Sequence, residues 1–256
     1  MDYNFHTHTW RCGHATGTEK EYIEIAIENG VTEMGFSDHA PWIDPTLCGE
    51  RNYVVPFAMV EDYRETVKAL AAEYRDRLTI HFGFEAEYDP VFPENMVTLG
   101  AEYLILGQHF IKTPSGKYVH VARPDLDAEV LLPIYVDSVI GGMKTGAYTY
   151  VAHPDVFNYL DYDTTFYVSE MTRLCEASLV TGVPLELNFL GIREGRYYPR
   201  SLFWEIAGRV GSPMTFGFDA HQPEKAADFA SLPRAEEIVR EYGLNYVGKP
   251  VLRPLA

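Results

Sequence analysis

The stretch Asp2-Tyr-Asn-Phe-His-Thr-His8 decides the fold, because it has the pattern of a short strand that carries paired histidines. Side chains on a strand alternate between its two faces with a period of two. His6 and His8 are therefore expected on one face, where they can bind one metal ion together. Two half-buried imidazoles without a metal would show the same spacing, and the segments that follow must decide between these interpretations. His14 supplies a third imidazole after a turn at Gly13.

The composition is that of an ordinary globular protein, with 46% hydrophobic and 23% charged residues among 256. No apolar run reaches the length of a membrane span, and the first residues lack the basic start and apolar core of a signal peptide. We therefore expect a cytoplasmic protein with no membrane partner. The three cysteines, Cys12, Cys48 and Cys175, show no disulfide spacing. Cys12 is a conceivable thiolate ligand, although a spectator thiol is the favoured interpretation.

The net charge of −16 argues against binding of extended nucleic acid, which requires a basic stripe along the protein. An anionic substrate would need positive charge from a local source. Bound divalent cations are such a source, since they are often the largest charges in a site.

Strand and helix patterns alternate along the whole chain. The predicted strands are Asp2–His8, Val31–Ser37 leading into Asp38–His39, Leu78–Glu87, Tyr103–His109, Tyr148–His153, Val183–Asn188 and Met214–His221. The predicted helices are Thr18–Asn29, Pro56–Arg77, Pro93–Leu99, Leu126–Met143, Thr164–Val180, Arg200–Gly208 and Pro233–Tyr242, with loops at Pro41–Val55 and Ile111–Asp125. Alternation repeated seven times without a linker predicts one α/β domain over residues 1–256, with a parallel sheet closed into a barrel. An open doubly wound sheet is the alternative, but the glycine-rich phosphate turn of that fold is missing.

Most predicted strands end in a residue that can bind a metal. These residues are His6, His8, His39, Glu85, His109, His153 and Asp219, with His14 and His221 in adjoining loops. The carboxyl ends of barrel strands converge on the active-site face. Imidazole and carboxylate together suit Zn, Mn or Fe, and the two oxygens of Glu85 can bridge two ions. We interpret the remaining His81 as structural and His120 as loop surface.

The ordered motifs His-Thr-His8, Gly-Phe-Ser-Asp-His39, Gly-Phe-Glu85, Gly-Gln-His109, Ala-His153-Pro and Gly-Phe-Asp219-Ala-His221 resemble the polymerase and histidinol phosphatase (PHP) superfamily of phosphoesterases. The resemblance implies a distorted (β/α)7 TIM-like barrel that holds two to three divalent transition metal ions. The implied ligand sets are His6, His8, Glu85 and Asp219 for the first ion, Glu85, His109 and His153 for the second, and His14, His39 and His221 for the third.

A complete ligand set favours an active enzyme, and Glu85, Asp219 and His221 are assigned catalytic roles. A water between two metal ions would serve as the nucleophile, while the metals offset charge on the phosphate. The resemblance to the histidinol-phosphatase branch implies a phosphomonoesterase acting on a small phosphorylated substrate, with L-histidinol phosphate preferred. Two alternatives are a 3′-exonuclease or nucleotide phosphodiesterase and a non-catalytic, metal-binding polymerase accessory module.

The segment Asn188-Phe-Leu-Gly-Ile-Arg193-Glu-Gly-Arg196-Tyr-Tyr-Pro199 resembles a motif of the same branch. Arg193 or Arg196 is predicted to clamp the phosphate, because guanidinium binds phosphate oxygens in pairs. A solvated loop with two surface arginines is the competing interpretation. Asn188 either orients the substrate or caps the loop, and Asp38 either supports a ligand imidazole or is a turn residue. The stretch Thr9–His14 departs from the branch pattern, which leaves another small phosphate ester possible.

Overall fold

The computed structural model describes residues 1–41, 54–88, 99–160 and 164–255, and one parallel sheet runs through all four ranges. Its strands are β1 (Tyr3–Asn4), β2 (Glu33–His39), β3 (Thr79–Ala86), β4 (Tyr103–Leu106), β7 (Tyr148–Val151), β8 (Leu185–Asn188), β9 (Pro213–Gly217) and β10 (Asn245–Tyr246), while β5 (Phe110–Lys112) and β6 (Tyr118–His120) form a separate antiparallel pair. The eight strands are hydrogen-bonded in the order β1-β2-β3-β4-β7-β8-β9-β10. The predicted α/β class with a parallel sheet is confirmed, and β10 is an addition to the seven predicted strands.

The helices within the described ranges lie between successive strands. They are α1 (Glu19–Glu28), α2 (Val60–Tyr74), α3 (Ala128–Thr145), α4 (Thr164–Thr181), α5 (Phe189–Glu194), α6 (Ser201–Val210) and α7 (Leu232–Tyr242). A capping box opens α1, because the Thr18 hydroxyl accepts the Glu21 amide and the Glu21 carboxylate accepts the Thr18 amide. No helix of the described ranges has the length and apolar character needed to cross a membrane.

The first strand of the sheet approaches β9 at one point. Thr7, just after β1, forms a parallel bridge with Ala220, just after β9. The His8 amide donates to the Ala220 carbonyl at 2.9 Å, and the Ala220 amide donates to the His6 carbonyl at 3.0 Å. The sheet thus curls until the segments that follow β1 and β9 touch through a single bridge.

The pleat of the strands sorts apolar side chains into an inner and an outer set. In β4, Leu104 and Leu106 belong to the large core under the helices, whereas Tyr103 and Ile105 belong to an inner cluster with Phe5 and residues of β7. Tyr103 fits there because a Cβ on Gly83 would lie 2.4 Å from its ring. The inner cluster fills the barrel interior, so the strand ends above it are left to carry polar residues.

Parts of the predicted loops and helices differ from the structure or lie outside the described residues. The prediction of a loop over Ile111–Asp125 is wrong in part, because β5 and β6 form a hairpin there whose antiparallel pairing joins residues six to ten apart. The helix expected from Pro56 begins as a 3₁₀ turn at Phe57–Met59 and becomes α-helical at Val60. Most of the loop Pro41–Val55 and of the short helix Pro93–Leu99 lies outside the described residues.

His81 lies near the amino end of β3, four residues before Glu85, and interacts with two carboxylates. Its Nε2 lies 2.9 Å from Glu33 Oε1, and its Nδ1 lies 3.5 Å from Glu102 Oε2. Burial by itself lowers the pKa of the imidazole, but the carboxylates of Glu102 and Glu33 outweigh burial and raise it. These contacts agree with the interpretation of His81 as a structural histidine.

We expect His81→Gln to destabilise the fold in a pH-dependent way. A pKa raised in the folded state stabilises the protein below the unfolded pKa of about 6.5, and this contribution is lost as the pH rises through the folded pKa. The free energy of unfolding should fall by about 0.5–1 kcal/mol near pH 6 and by less at pH 9, measured by urea denaturation of metal-free protein. Glu102→Gln is the matched control and should show the same trend. A loss of equal size at both pH values would contradict the assignment.

Candidate metal centre

All nine predicted metal ligands lie at the carboxyl end of the sheet. His6 and His8 follow β1, His39 ends β2, Glu85 lies in β3, His109 follows β4, His153 follows β7, Asp219 and His221 follow β9, and His14 follows a 3₁₀ turn at Trp10–Cys12. Seven of them line a cavity of about 440 Å³, and the other two, His6 and His8, are fully buried against Glu85 and Asp219. The chain therefore gathers these residues at the base of one cavity.

Four of these residues form a cage of ligand atoms. Nε2 of His6 lies 3.5 Å from Glu85 Oε2 and 3.6 Å from Asp219 Oδ1. Nε2 of His8 lies 3.5 Å and 3.4 Å from the same two oxygens. Two atoms that each lie about 2.0–2.1 Å from the same zinc ion are at most about 4.2 Å apart. The spacing of the four atoms thus suits a transition metal ion.

The second oxygen of Glu85 points to a different pair of imidazoles. Oε1 lies 2.8 Å from His153 Nε2 and 3.5 Å from His109 Nε2, and the two rings have centroids 4.8 Å apart. His39 contacts Glu85 as well, with its Nδ1 3.0 Å from Oε2. One carboxylate therefore lies between two groups of histidines, which is the arrangement expected of a bridging ligand.

A third group of imidazoles lies at the mouth of the cage. His14 Nε2 and His221 Nε2 are 3.0 Å apart, and the ring of His221 stacks on His8 with centroids 4.1 Å apart. The ring centroid of His39 lies 5.2 Å from that of His14. His39 thus lies between the second and third groups, and which ions it would serve stays a prediction.

Several atoms of the cage show that the site fits cations. Nε2 of His6, Nε2 of His8 and Oδ1 of Asp219 are buried and have no hydrogen-bond partner among the described residues. Buried polar atoms without partners are costly and rare in native proteins. A divalent ion would satisfy all three, and imidazole with carboxylate is a donor set that suits zinc, manganese or iron.

The carboxylates of the cage are held in their ionised form. Burial alone raises the pKa of a carboxyl group, but His109, His39 and His6 outweigh it and hold the pKa of Glu85 well below its usual range. The pKa of Asp219 is lowered in the same way, chiefly by His6. Both residues therefore offer charged oxygens to a cation.

The imidazoles fall into two kinds. Burial and the neighbouring imidazoles of His221 and His8 lower the pKa values of His8 and His39, which keeps these rings neutral and able to coordinate. For His109, burial opposes protonation but Glu85 and Glu87 outweigh it and raise the pKa to about 9. A metal ion bound at His109 would therefore displace a proton.

Three further carboxylates stand behind ligand imidazoles. Glu186 Oε1 lies 2.7 Å from His6 Nδ1, Asp38 Oδ1 lies 3.5 Å from His8 Nδ1, and Glu87 Oε1 lies 3.4 Å from His109 Nδ1. Such partners orient a metal-binding imidazole and fix which nitrogen faces the ion. The sequence left two interpretations of Asp38 open, a partner of a ligand imidazole or a turn residue. Its carboxylate lies beside the ring of His8, which favours the first. Sequence reasoning missed Glu186 and Glu87.

The backbone is strained at two ligands. His153 (φ 30°) and Asp219 (φ 48°) are the non-glycine residues with positive φ in the described ranges. Such conformations cost on the order of 1–3 kcal/mol each and persist where the surroundings over-determine them. The amide of His153 donates to Glu186 Oε2 at 2.9 Å, and Asn188 Nδ2 donates to Asp219 Oδ2 at 3.0 Å. Buried hydrogen bonds thus hold both ligands in place.

The predicted substrate-binding residues occupy different positions. Arg196 lines the cavity, where its Nη1 donates to the Tyr198 hydroxyl and its Nε to Glu194, both at 2.9 Å. Asn188 is buried, and its Oδ1 caps α5 by accepting the Gly191 amide. Arg193 donates to the backbone carbonyls of Phe218 and Asp219. Of the two arginines, the geometry favours Arg196 for contact with a substrate.

His120 does not lie on a surface loop, as the sequence predicted. His120, which we interpreted as loop surface, belongs to β6 and lines the cavity, because the hairpin folds over the strand ends. Its Nδ1 accepts the Ala122 amide at 3.0 Å, and its ring centroid lies 6.0 Å from that of His109.

Cys12 is buried and donates to the Thr9 carbonyl at 3.1 Å. Burial raises the pKa of the Cys12 thiol, which agrees with a spectator role, and Cys48 lies outside the described residues.

Comparison with known proteins places the chain in a family. The profile of the PHP domain family matches residues 4–188. The chain belongs to the PHP family. This match covers the segments that carry His6, Glu85, His109 and His153, and it ends at Asn188, before Asp219 and His221.

Several relatives are similar to this PHP chain over most of its length. A protein named probable histidinol-phosphatase from Deinococcus radiodurans is 28% identical over 234 residues, which cover 85% of each chain. Histidinol-phosphatase from Bacillus subtilis is 27% identical over 250 residues, covering 85% of this chain and 92% of the relative. The crystal structure of histidinol phosphate phosphatase from Lactococcus lactis, in complex with zinc, L-histidinol and phosphate, superposes with a TM-score of 0.68 over 96% of this chain and 95% of that chain, at 17% identity. The last likeness shows a shared fold, which supports the barrel-like architecture.

Removal of metal should lower the thermal stability of this PHP protein. Free zinc at about 1,000 times its dissociation constant stabilises a fold by about 4 kcal/mol, which corresponds to a rise in Tm on the order of 10 °C. The measurement compares protein stripped with a chelator and protein reloaded with Zn²⁺. His81→Gln should retain the zinc-induced shift, since His81 lies outside the centre, whereas His6→Asn should reduce it. An equal shift in wild type and His6→Asn would argue against the cage.

Proposed function

We propose that this chain is a metal-dependent phosphomonoesterase that hydrolyses L-histidinol phosphate to L-histidinol and phosphate. The observation that carries the proposal is the position of Glu85, whose two oxygens face separate groups of histidines at the base of one cavity. The names of the two relatives and the ligands of the Lactococcus lactis structure support the substrate. We further propose that two or three Zn, Mn or Fe ions are held by the nine ligands described above.

Bound divalent ions would supply a nucleophile at neutral pH by lowering the pKa of water, and they would stabilise the charge of the phosphate in the transition state. The charge of the ligand side chains determines how much of the positive charge of the ions is offset. Only Glu85 and Asp219 among the nine ligands carry negative charge, since the other seven are imidazoles. Two or more divalent ions would therefore carry more positive charge than their own ligands offset, in a chain whose formal charge is −16. This local charge would attract a dianionic phosphate ester.

The side chains around the ligands prepare the site before substrate binds. Glu186 accepts from Asn188 at 2.8 Å and from the amide of His153 at 2.9 Å, besides its contact with His6. A network of this kind keeps ligand atoms in the geometry that the reaction requires. We propose catalytic roles for Glu85, Asp219 and His221, with His221 at the mouth of the cage nearest to an entering substrate.

Arg196 and Tyr198 are proposed to bind the phosphate group. Both line the cavity, and the guanidinium already donates to the Tyr198 hydroxyl. Burial raises the pKa of Tyr198, so its hydroxyl stays protonated at neutral pH and can donate. A planar guanidinium matches two phosphate oxygens, which a neutral side chain cannot do.

The size and lining of the cavity favour a small ester over a polymer. A volume of about 440 Å³ is in the range of small-molecule sites. Phe110, His120 and Tyr197 provide aromatic surface on the wall, and Glu194 provides negative charge. These groups suit the non-phosphate end of a substrate that carries an imidazole and an amine.

The activity test uses protein loaded with Zn²⁺ or Mn²⁺. We expect release of phosphate from p-nitrophenyl phosphate and faster release from L-histidinol phosphate. Glu85→Gln should lose activity by more than about 100-fold, because even the outer partners of metal ligands contribute about 10- to 100-fold. Cleavage of a bis-ester or of single-stranded DNA without release from monoesters would favour the nuclease alternative. Metal binding without turnover of any of these substrates would favour the accessory module.

Arg196→Ala should raise KM for L-histidinol phosphate by about 10-fold, because a hydrogen bond to a charged group contributes about 1.5–3 kcal/mol and the arginine is partly exposed. Its metal content should equal that of wild type. Arg173→Ala is the matched control, since Arg173 lies on α4 and does not line the cavity. Steady-state kinetics of both variants give the comparison, and an unchanged KM in Arg196→Ala would remove Arg196 from the phosphate site.

A further inference from the structure

We propose that Arg193 is a positioning residue, which holds Asp219 in the orientation where its carboxylate faces the metal centre. The inference rests on the metal centre of the proposed function and does not depend on which phosphate ester is hydrolysed. Arg193 would act through Asp219 and would contact neither the substrate nor a metal ion.

The guanidinium of Arg193 contacts buried groups of the protein. Nη1 donates to the Phe218 carbonyl at 2.5 Å, and Nη2 donates to the Asp219 carbonyl. Nη1 also lies 3.4 Å from a carboxylate oxygen of Asp228, which accepts the Ser231 hydroxyl at 2.7 Å. The side chain is only about 10% exposed. These contacts leave the fork of Arg193 facing the backbone of Asp219.

The two carbonyls determine the backbone conformation of Asp219. The Phe218 carbonyl belongs to the peptide plane before the Asp219 Cα, and the Asp219 carbonyl belongs to the plane after it. A rigid planar group that binds both carbonyls therefore restrains φ and ψ together. Asp219 has a φ of 48°, a left-handed conformation that a residue with a Cβ adopts only when its surroundings require it. The two hydrogen bonds from Arg193 hold Asp219 in this conformation.

The carboxylate of Asp219 is fixed by a second residue of the same motif. Asn188 Nδ2 donates to Oδ2, which leaves Oδ1 directed at His6 and His8. Asn188 and Arg193 are the two ends of the Asn188-x-x-Gly-x-Arg193 motif. Its glycine is required by packing, because a Cβ on Gly191 would lie 2.3 Å from the Tyr198 carbonyl oxygen. The motif thus fixes both the backbone and the side chain of one metal ligand.

The test measures zinc affinity of the full chain by competition with a chelator, without substrate. Arg193→Met keeps the apolar stem and removes the fork, and we expect its zinc affinity to fall by about 10- to 100-fold. Arg196→Met makes the same change on the cavity arginine and should retain wild-type zinc affinity. In an Asp219→Asn background, Arg193→Met should weaken zinc binding by less than about 3-fold, because the ligand through which Arg193 acts is already altered.

Two results would overturn the proposal. One is wild-type zinc affinity in Arg193→Met, and the other is an equal loss of affinity with and without Asp219→Asn, which would show an action elsewhere. Should Arg193→Met fail to fold by circular dichroism, Arg193→Lys gives the same comparison, since one ammonium group cannot bind both carbonyls as a fork. Wild-type zinc affinity in Arg193→Lys would then overturn the proposal. Because no step requires turnover, this outcome is separate from failure of the phosphatase assay.

Discussion

The bridge between Thr7 and Ala220 is the contact on which the metal centre depends. Side chains alternate along an extended segment, so His6 and His8 point to the opposite face from Thr7, whereas the left-handed backbone of Asp219 turns its carboxylate toward them. His6 and His8 flank one partner, and Asp219 and His221 flank the other. Joining two strand ends from distant parts of the chain therefore brings four ligands together at once, and Glu85 completes the cage from β3.

Charge in the centre is arranged in two layers. The inner layer contains the imidazoles and the carboxylates of Glu85 and Asp219, while Glu186, Asp38 and Glu87 lie behind the imidazoles. An arrangement of this kind raises the basicity of the ligands and fixes their direction. The strongly acidic composition of the chain and its proposed affinity for an anion are thus compatible, because the cations are held locally.

The sequence predicted those parts of the molecule that depend on local spacing. Strand ends and the ligands on them follow from periodicity and from position relative to each strand, which is why Glu85 and His153 were found. Glu186 was missed because an acid within the apolar strand Leu185–Asn188 reveals no partner, although a buried charge in such a strand is itself a signal. His120 was misjudged because its surroundings come from a hairpin that only tertiary contacts define, and the backbone bend that Arg193 contacts could not be predicted for the same reason.

The order of the ligands along the chain has a consequence for biosynthesis. During translation His6 and His8 emerge from the ribosome first, and their bridge partner Ala220 emerges more than two hundred residues later. At about 5–20 residues per second, the nascent chain spends on the order of ten seconds or more with a half-built cage. A cation that met these early histidines would find an incomplete coordination sphere, so full coordination has to wait until Asp219 and His221 have emerged.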